Sequence, residues 1–219
     1  MTGGSPSSAS AGPPVSPGVP DRVLATIEAH LKQRELRREE LYQRARRLRR
    51  LAQSSMTRLH SDGTAAPDLA EVRRLTAELA DWVRREGRGD EPLALDAFQE
   101  AVEAILLGAI ADGAPLPGPS ELGVDPEAYL LGLGDVVGEV RRRALDRLGR
   151  DDVSGAEAEL ALMERLTRAL LRFDTTRAIL QLKPKQDTAR TLLERTRGEV
   201  VMARALARAR PDGRPAERP

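Results

Sequence analysis

Apolar residues recur three and four positions apart from residue 21 to about residue 207, and nowhere do they alternate with the two-residue period of a strand. This pattern predicts an all-α protein, a helical bundle or layered α-array of about six to seven helices with a long N-terminal helix. The first helix is predicted from Asp21 to His60, with Leu41, Ala45, Leu48, Ala52 and Leu59 on a heptad seam and the run "SDG" as its stop. A helix of that length is expected to protrude or to clasp another subunit. A second helix starts at Asp68, which caps it with Glu71 in the reciprocal position, and buries Val72, Leu75, Leu79 and Val83. Pro92 opens a third, whose core stripe is Leu95, Phe98, Val102, Ile105 and Ala109, and the Gly- and Pro-rich "DGAPLPGPS" reads as a loop. Asp125 and Pro126 open a fourth helix that runs to about Leu148 and buries Leu130, Leu133, Val137, Val140 and Ala144. A fifth begins at the capping box Ser154 to Glu157, packs through Leu160, Met163, Leu166 and Leu170, and reaches about Phe173. An irregular joint is expected over 174–186, then a last helix using Ala189, Leu192, Thr196, Val200 and Ala203.

The chain has 219 residues, 40% of them hydrophobic, which suits one folded domain over residues 21–207. The flanking segments, 1–20 and 208–219, are rich in Gly, Pro, Ser and Arg and are expected to be disordered. Residues 1–20 have neither the basic nor the apolar region of a secretory signal. The apolar run "AILLGAIA" is too short to span a bilayer, so a soluble, cytoplasmic protein without a membrane partner is expected. With no cysteine and only His30 and His60, a thiolate or zinc centre is improbable, and any metal should be a hard cation held by carboxylates.

Charge is segregated although the net charge is only +1. Residues 32–58 hold ten basic residues against three acids. The 52-residue window from Gly89 to Val140 holds eleven acids and no Lys or Arg. The basic helix suits phosphates and the acidic window suits cations, although a basic helix is as often a solvated face or a partner for acidic helices. Five aromatic residues are too few for a base-stacking platform, so any nucleic-acid contact should be electrostatic and weakly sequence-specific.

Within the acidic window, Asp135 and Glu139 are four apart on the fourth helix and share a face; Glu100 and Glu103 are three apart on the third, on the side away from Phe98, Val102 and Ile105. Like charges at this spacing repel unless a counter-charge joins them, and Arg142, one turn on, could supply it. Gly132, Gly134 and Gly138 weaken the same helix, which points to the close approach of another backbone. Two readings stay open on spacing alone. The four acids can converge on Mg²⁺ or Mn²⁺, with hydrolysis of a phosphodiester as the natural chemistry, or pair with arginines of the first helix across a subunit contact.

The segments "DPEAYLLGLGDVVGEVRRRALD", "LLRFD" and "KPKQDTARTLLERTRGEVVMA", with "LYQRARRLRRLAQSSMTRLH" as a basic first helix, resemble the translin family over roughly residues 21–207. The resemblance implies an all-α fold of seven helices and a homo-oligomeric shell, an octamer in that family, that binds RNA or single-stranded DNA. One branch, translin-associated factor X, cleaves single-stranded RNA inside the shell as an Mg²⁺-dependent endoribonuclease. Its Glu-x-x-Glu and "YLLGxxDxxGE" acids fall on Glu100, Glu103 and Asp135, while Glu139 matches an acid that the non-catalytic branch also carries. The resemblance therefore implies the nuclease branch, with Asp135 on the metal and Glu139 as a supporting ligand. The histidine-bearing basic segment that translin uses for nucleic acid is absent, so RNA contacts are expected on Arg46, Arg47, Arg49, Arg50 and Arg58.

Overall fold

The computed structural model describes residues 18–61, 66–86, 89, 91–173 and 181–209; the two expected tails lie almost wholly outside them. Seven α-helices and one 3-10 turn make up the elements among the described residues: α1 (Asp21–Ser61), α2 (Ala66–Glu86), the 3-10 turn (Glu91–Ala94), α3 (Leu95–Ala111), α4 (Pro119–Leu122), α5 (Pro126–Leu148), α6 (Val153–Leu171) and α7 (Leu182–Ala209). No strand occurs among them, and none of these helices is long and apolar enough to cross a membrane.

The chain divides at Arg37 into two units. In the first, the helical residues leave Val23, Leu24, Ile27, Leu31 and Leu36 exposed. In the second, Leu41, Ala45, Leu48 and Ala52 are buried at the heptad spacing that the pattern predicts, and join Val72 and Leu79 of α2 and Ala101 and Ile105 of α3 in one core. Helix α5 packs on α3, α6 and α7, and α6 packs on α7, so α5 is the element that every later helix touches.

Helix α3 departs from the amphipathic stripe expected of it. Residues Ala101 to Ala109 are all buried, because α2 and α5 both pack against it and leave no solvent face. The N-termini also shift. Helix α2 begins at Ala66, so Asp68 lies in its first turn and faces Arg58 instead of capping it. Pro92 sits in the 3-10 turn ahead of α3. Asp125 does cap α5, accepting from the Glu127 amide at 2.8 Å, with Pro126 in the first turn. The cap of α6 is Asp152, which accepts from the Gly155 amide, rather than Ser154. Within the expected proline loop the short α4 forms, and the left-handed Gly123 closes it. Helix α7 starts at Leu182, four residues before the expected joint ends; residues 174–180 lie outside the described set.

The glycines of α5 have separate reasons. A Cβ at Gly132 would meet the Gln99 carbonyl oxygen at 2.7 Å and Val102 Cγ1 at 2.8 Å, so here a backbone does approach, and the glycine sets how closely α3 and α5 cross. At Gly134 the neighbour is the Lys185 side chain of α7, with Cβ at 3.0 Å. Gly138 has only Leu192 Cδ1, at 3.8 Å, so the expected backbone approach does not hold there. Opposite signs follow for the two alanine substitutions. Gly132→Ala should lower unfolding free energy by about 1–3 kcal/mol through overpacking against a backbone oxygen, whereas Gly138→Ala should raise it by about 0.5–1 kcal/mol through helix propensity. Urea unfolding of both variants measures the contrast.

Candidate functional site

The α3–α5 crossing brings the two acidic pairs to one region. Positions three and four apart put Glu100 and Glu103 on one side of α3 and Asp135 and Glu139 on one side of α5. Glu103 lies deepest, 9% exposed, and no hydrogen bond or ion pair reaches its carboxyl among the described residues. Burial first, and then the charges of Asp135, Glu139 and Glu100 in that order, push its pKa up to about 8 against the downward pull of Lys185. The acids thus meet in their fields around Glu103. They do not form a closed cage: among the described residues no three His, Asp or Glu side chains are gathered closely enough to hold an ion.

Each of the other three acids already faces a polar neighbour. Asp135 Oδ2 accepts from Gln99 Nε2 at 2.6 Å, and Oδ1 accepts from the Lys185 ammonium. Glu139 Oε2 lies 2.6 Å from His60 Nε2, near the end of α1, but without hydrogen-bond alignment, so that buried oxygen has no donor. Glu100 Oε1 accepts from Gln53 Nε2 at 3.2 Å and has Arg49 Nε at 3.6 Å. Arg142, the expected counter-charge, is exposed and takes no part; Lys185 and His60 supply the positive or protonatable groups instead.

The arginines of α1 divide. Arg47 and Arg58 face acids of α2, at 3.5 Å from Glu71 and 2.8 Å from Asp68. Arg49 points to Glu100, within one chain and not across a subunit contact. Arg46 and Arg50 are exposed without an acid partner among the described residues, and Arg50 lines a shallow depression with Arg47 and Ser54. So Arg49 joins the basic stripe to the acid cluster, while Arg46 and Arg50 stay available to a phosphate.

Two residues of this region were not legible as site residues, Lys185 and His60. Lys185 is one of only three lysines among 35 basic residues, a weak signal in itself. Its delivery to Asp135 depends on Gly134, which leaves room for its aliphatic stem, and that fit belongs to the α5–α7 packing.

An all-helical array with a partly buried group of carboxyls, reached by Arg49 of an arginine-rich helix, is the class of protein that this geometry defines. No family model matches the sequence. The fold matches the solved structure of AfC3PO in complex with duplex RNA, with a TM-score of 0.75 and 30% identity over 85% of this chain and 98% of that one. It also matches a crystal structure of AfC3PO, with a TM-score of 0.76 and 31% identity over 84% and 97%. At 22% identity and a TM-score of 0.74, apo-NeC3PO shares the fold. A protein of Methanocaldococcus jannaschii is 38% identical over 104 residues, and that match spans about half the length of either chain, 47%. The chain belongs to the translin family, as the C3PO proteins do.

The raised Glu103 pKa gives the fold a pH dependence of definite sign. Between the ordinary value of 4.5 and about 8 the folded protein holds a proton that the unfolded chain has released. Stability from this group is therefore full below 4.5 and lost as pH rises through 8. In EDTA, Glu103→Gln should flatten the fall of unfolding free energy over that window by an amount on the order of a few kcal/mol. Parallel curves for parent and variant would mean that the carboxyl is ionised throughout.

Proposed function

We propose that this protein is a metal-dependent endoribonuclease that cleaves single-stranded RNA inside a homo-oligomeric shell, an octamer as the family resemblance implies. The observation that carries the reading is Glu103. Glu103, a residue only 9% exposed, carries a carboxyl without a hydrogen-bond partner among the described residues, which is costly to ionise, and its neighbours Glu100, Asp135 and Glu139 make the cost greater unless the site takes up positive charge. All-oxygen donors fit Mg²⁺ or Mn²⁺. Glu100, Glu103 and Asp135 would hold the ion, and Glu139, beside His60, would support it. When bound, such an ion lowers the pKa of a water and offsets charge on a phosphoryl oxygen.

The protein's own residues do the rest. Glu103 must give up its proton to become a ligand, and Gln99 orients the Asp135 carboxyl toward the α3–α5 crossing. Arg46, Arg50 and, after exchange of their acid partners, Arg47, Arg49 and Arg58 draw the phosphate backbone toward that crossing. The complex of AfC3PO with duplex RNA supports RNA as the ligand class. A second reading, an RNA- or single-stranded-DNA-binding protein without catalysis, is favoured by the ammonium of Lys185 on Asp135 and by the lack of a closed ligand cage among the described residues.

Labelled single-stranded RNA should be cut with Mg²⁺ and left intact with EDTA. Asp135→Asn and Glu103→Gln should each slow cleavage by about 100-fold or more while RNA still binds. Replacing Arg46 and Arg50 by Gln should reduce the slope of log affinity against log salt by about one for each phosphate that the protein no longer neutralises. Salt-dependent binding with uncut RNA in both lanes would leave the second reading.

The shell has its own support in the exposed Val23, Leu24, Ile27 and Leu31, which recur at helical spacing on the first unit. Light scattering should give a mass several times that of the 23.9 kDa chain, and Ile27→Glu with Leu31→Glu should lower it.

A further inference from the structure

The side of α5 that carries Glu139 continues with Arg143 and Arg147, about one and two turns further on, and Arg150 follows in the turn after the helix. The charge of one helical face therefore reverses along its length, from acid to base. The basic half lines a cleft of about 510 Å³ whose other wall is Leu59, Leu107 and Ala111. His60 lines the same cleft and lies against Glu139, so cleft and acid cluster share a boundary.

The arginines are held in place. Glu159 of α6, 4% exposed, accepts from Arg143 Nε at 3.1 Å and Nη2 at 2.8 Å, and from Arg147 Nε at 3.1 Å. Arg147 Nη1 also donates to Asp152 at 2.8 Å. A Cβ at Gly155 would meet Asp152 Oδ2 at 2.1 Å and Arg147 Nη1 at 2.6 Å, so that glycine makes room for the guanidinium. Those bonds occupy the Nε–Nη2 edge of Arg143, and Nε and Nη1 of Arg147. Arg143 Nη1, Arg147 Nη2 and the exposed Arg150 keep donors without an acid partner among the described residues. Orientation by a buried carboxylate is how a fork of donors is set for a tetrahedral oxyanion. Asp146 and Asp152 also line the cleft and offset much of its positive charge, so recognition rests on directed hydrogen bonds more than on a long-range field. The negative end of α5 and the positive end of α6 meet at this turn and oppose one another.

We propose that this cleft binds one nucleotide unit, its phosphate on Arg143, Arg147 and Arg150 and its base or ribose against Leu59, Leu107 and Ala111. The volume lies within the roughly 300–1,000 Å³ of small-molecule sites, and apolar residues and oriented donors line it together. The unit is either a nucleotide of a strand that continues into the acid cluster or a free nucleoside monophosphate. Its place beside that cluster deepens the nuclease reading and rests on it for the strand's direction.

Calorimetry on the full chain in EDTA, with Asp135→Asn to prevent cleavage, tests the cleft apart from the nuclease. The probes are inorganic phosphate, adenosine 5′-monophosphate and a single-stranded RNA pentanucleotide. Arg150→Gln removes a phosphate donor and Ala111→Trp fills the apolar side; both positions are exposed, so both variants should fold. Each should weaken the mononucleotide by about tenfold, and inorganic phosphate should bind parent more weakly than the mononucleotide does. A pentanucleotide that competes with the mononucleotide and is weakened by both variants identifies the strand as the source. A pentanucleotide untouched by either variant identifies the free nucleotide, provided that the mononucleotide is weakened. Mononucleotide affinity unchanged in both variants, or no mononucleotide binding to parent, overturns the proposal. Cleavage by parent in Mg²⁺ is scored separately: nucleotide binding abolished in the variants with no cleavage by parent would keep the cleft and remove the nuclease.

Discussion

From Ala101 to Ala109 helix α3 is buried on every side and still carries a carboxyl, and that constraint governs the rest of the site. An ionised, unpaired carboxylate at the depth of Glu103 costs several kcal/mol even after relaxation. The fold keeps the group neutral by holding its proton up to about pH 8. It then places positive or protonatable groups on the neighbouring acids, and since α3 and α5 are bare of Lys and Arg near the crossing, those groups come from elsewhere. Lys185 arrives from α7, and His60 and Arg49 from α1.

Packing and chemistry are consequently the same contacts. Gly132 sets the distance at which α3 and α5 cross, and the residue whose backbone it touches, Gln99, uses its side chain to orient Asp135. Gly134 admits the stem of Lys185, whose ammonium then reaches the same carboxyl. Both glycines cost helix propensity, up to about 1 kcal/mol each; at Gly132 the cost is offset by a backbone approach that no larger residue permits, and at Gly134 by a close fit of the Lys185 stem.

The segregation of charge along the chain has a counterpart along α5. A net charge of +1 conceals an acidic half-face at the α3 crossing and a basic half-face at the α6 crossing. The acidic half is suited to a cation and the basic half to phosphate oxygen, and placing both on one rigid helix fixes their separation without a loop. On the proposed function the fold would carry two kinds of recognition along one element, with the buried Glu159 holding Arg143 and Arg147 as Gln99 holds Asp135.

Helical periodicity, the heptad of α1, the Asp125–Pro126 start of α5 and the positions of Glu100, Glu103, Asp135 and Glu139 were all determined by the sequence alone, because spacing within a helix sets which side chains share a face. The caps at Asp68 and Ser154 were misplaced because a better-placed start or acceptor lay two residues upstream, a competition among neighbours that composition does not rank. Only the tertiary structure decided that α3 has no solvent face, that Glu103 has no partner, and that Lys185 and His60 face the acids in place of Arg142. Those outcomes depend on which helices pack against which. Lys185 and Asp135 are 50 residues apart, and no local period carries a contact over that distance.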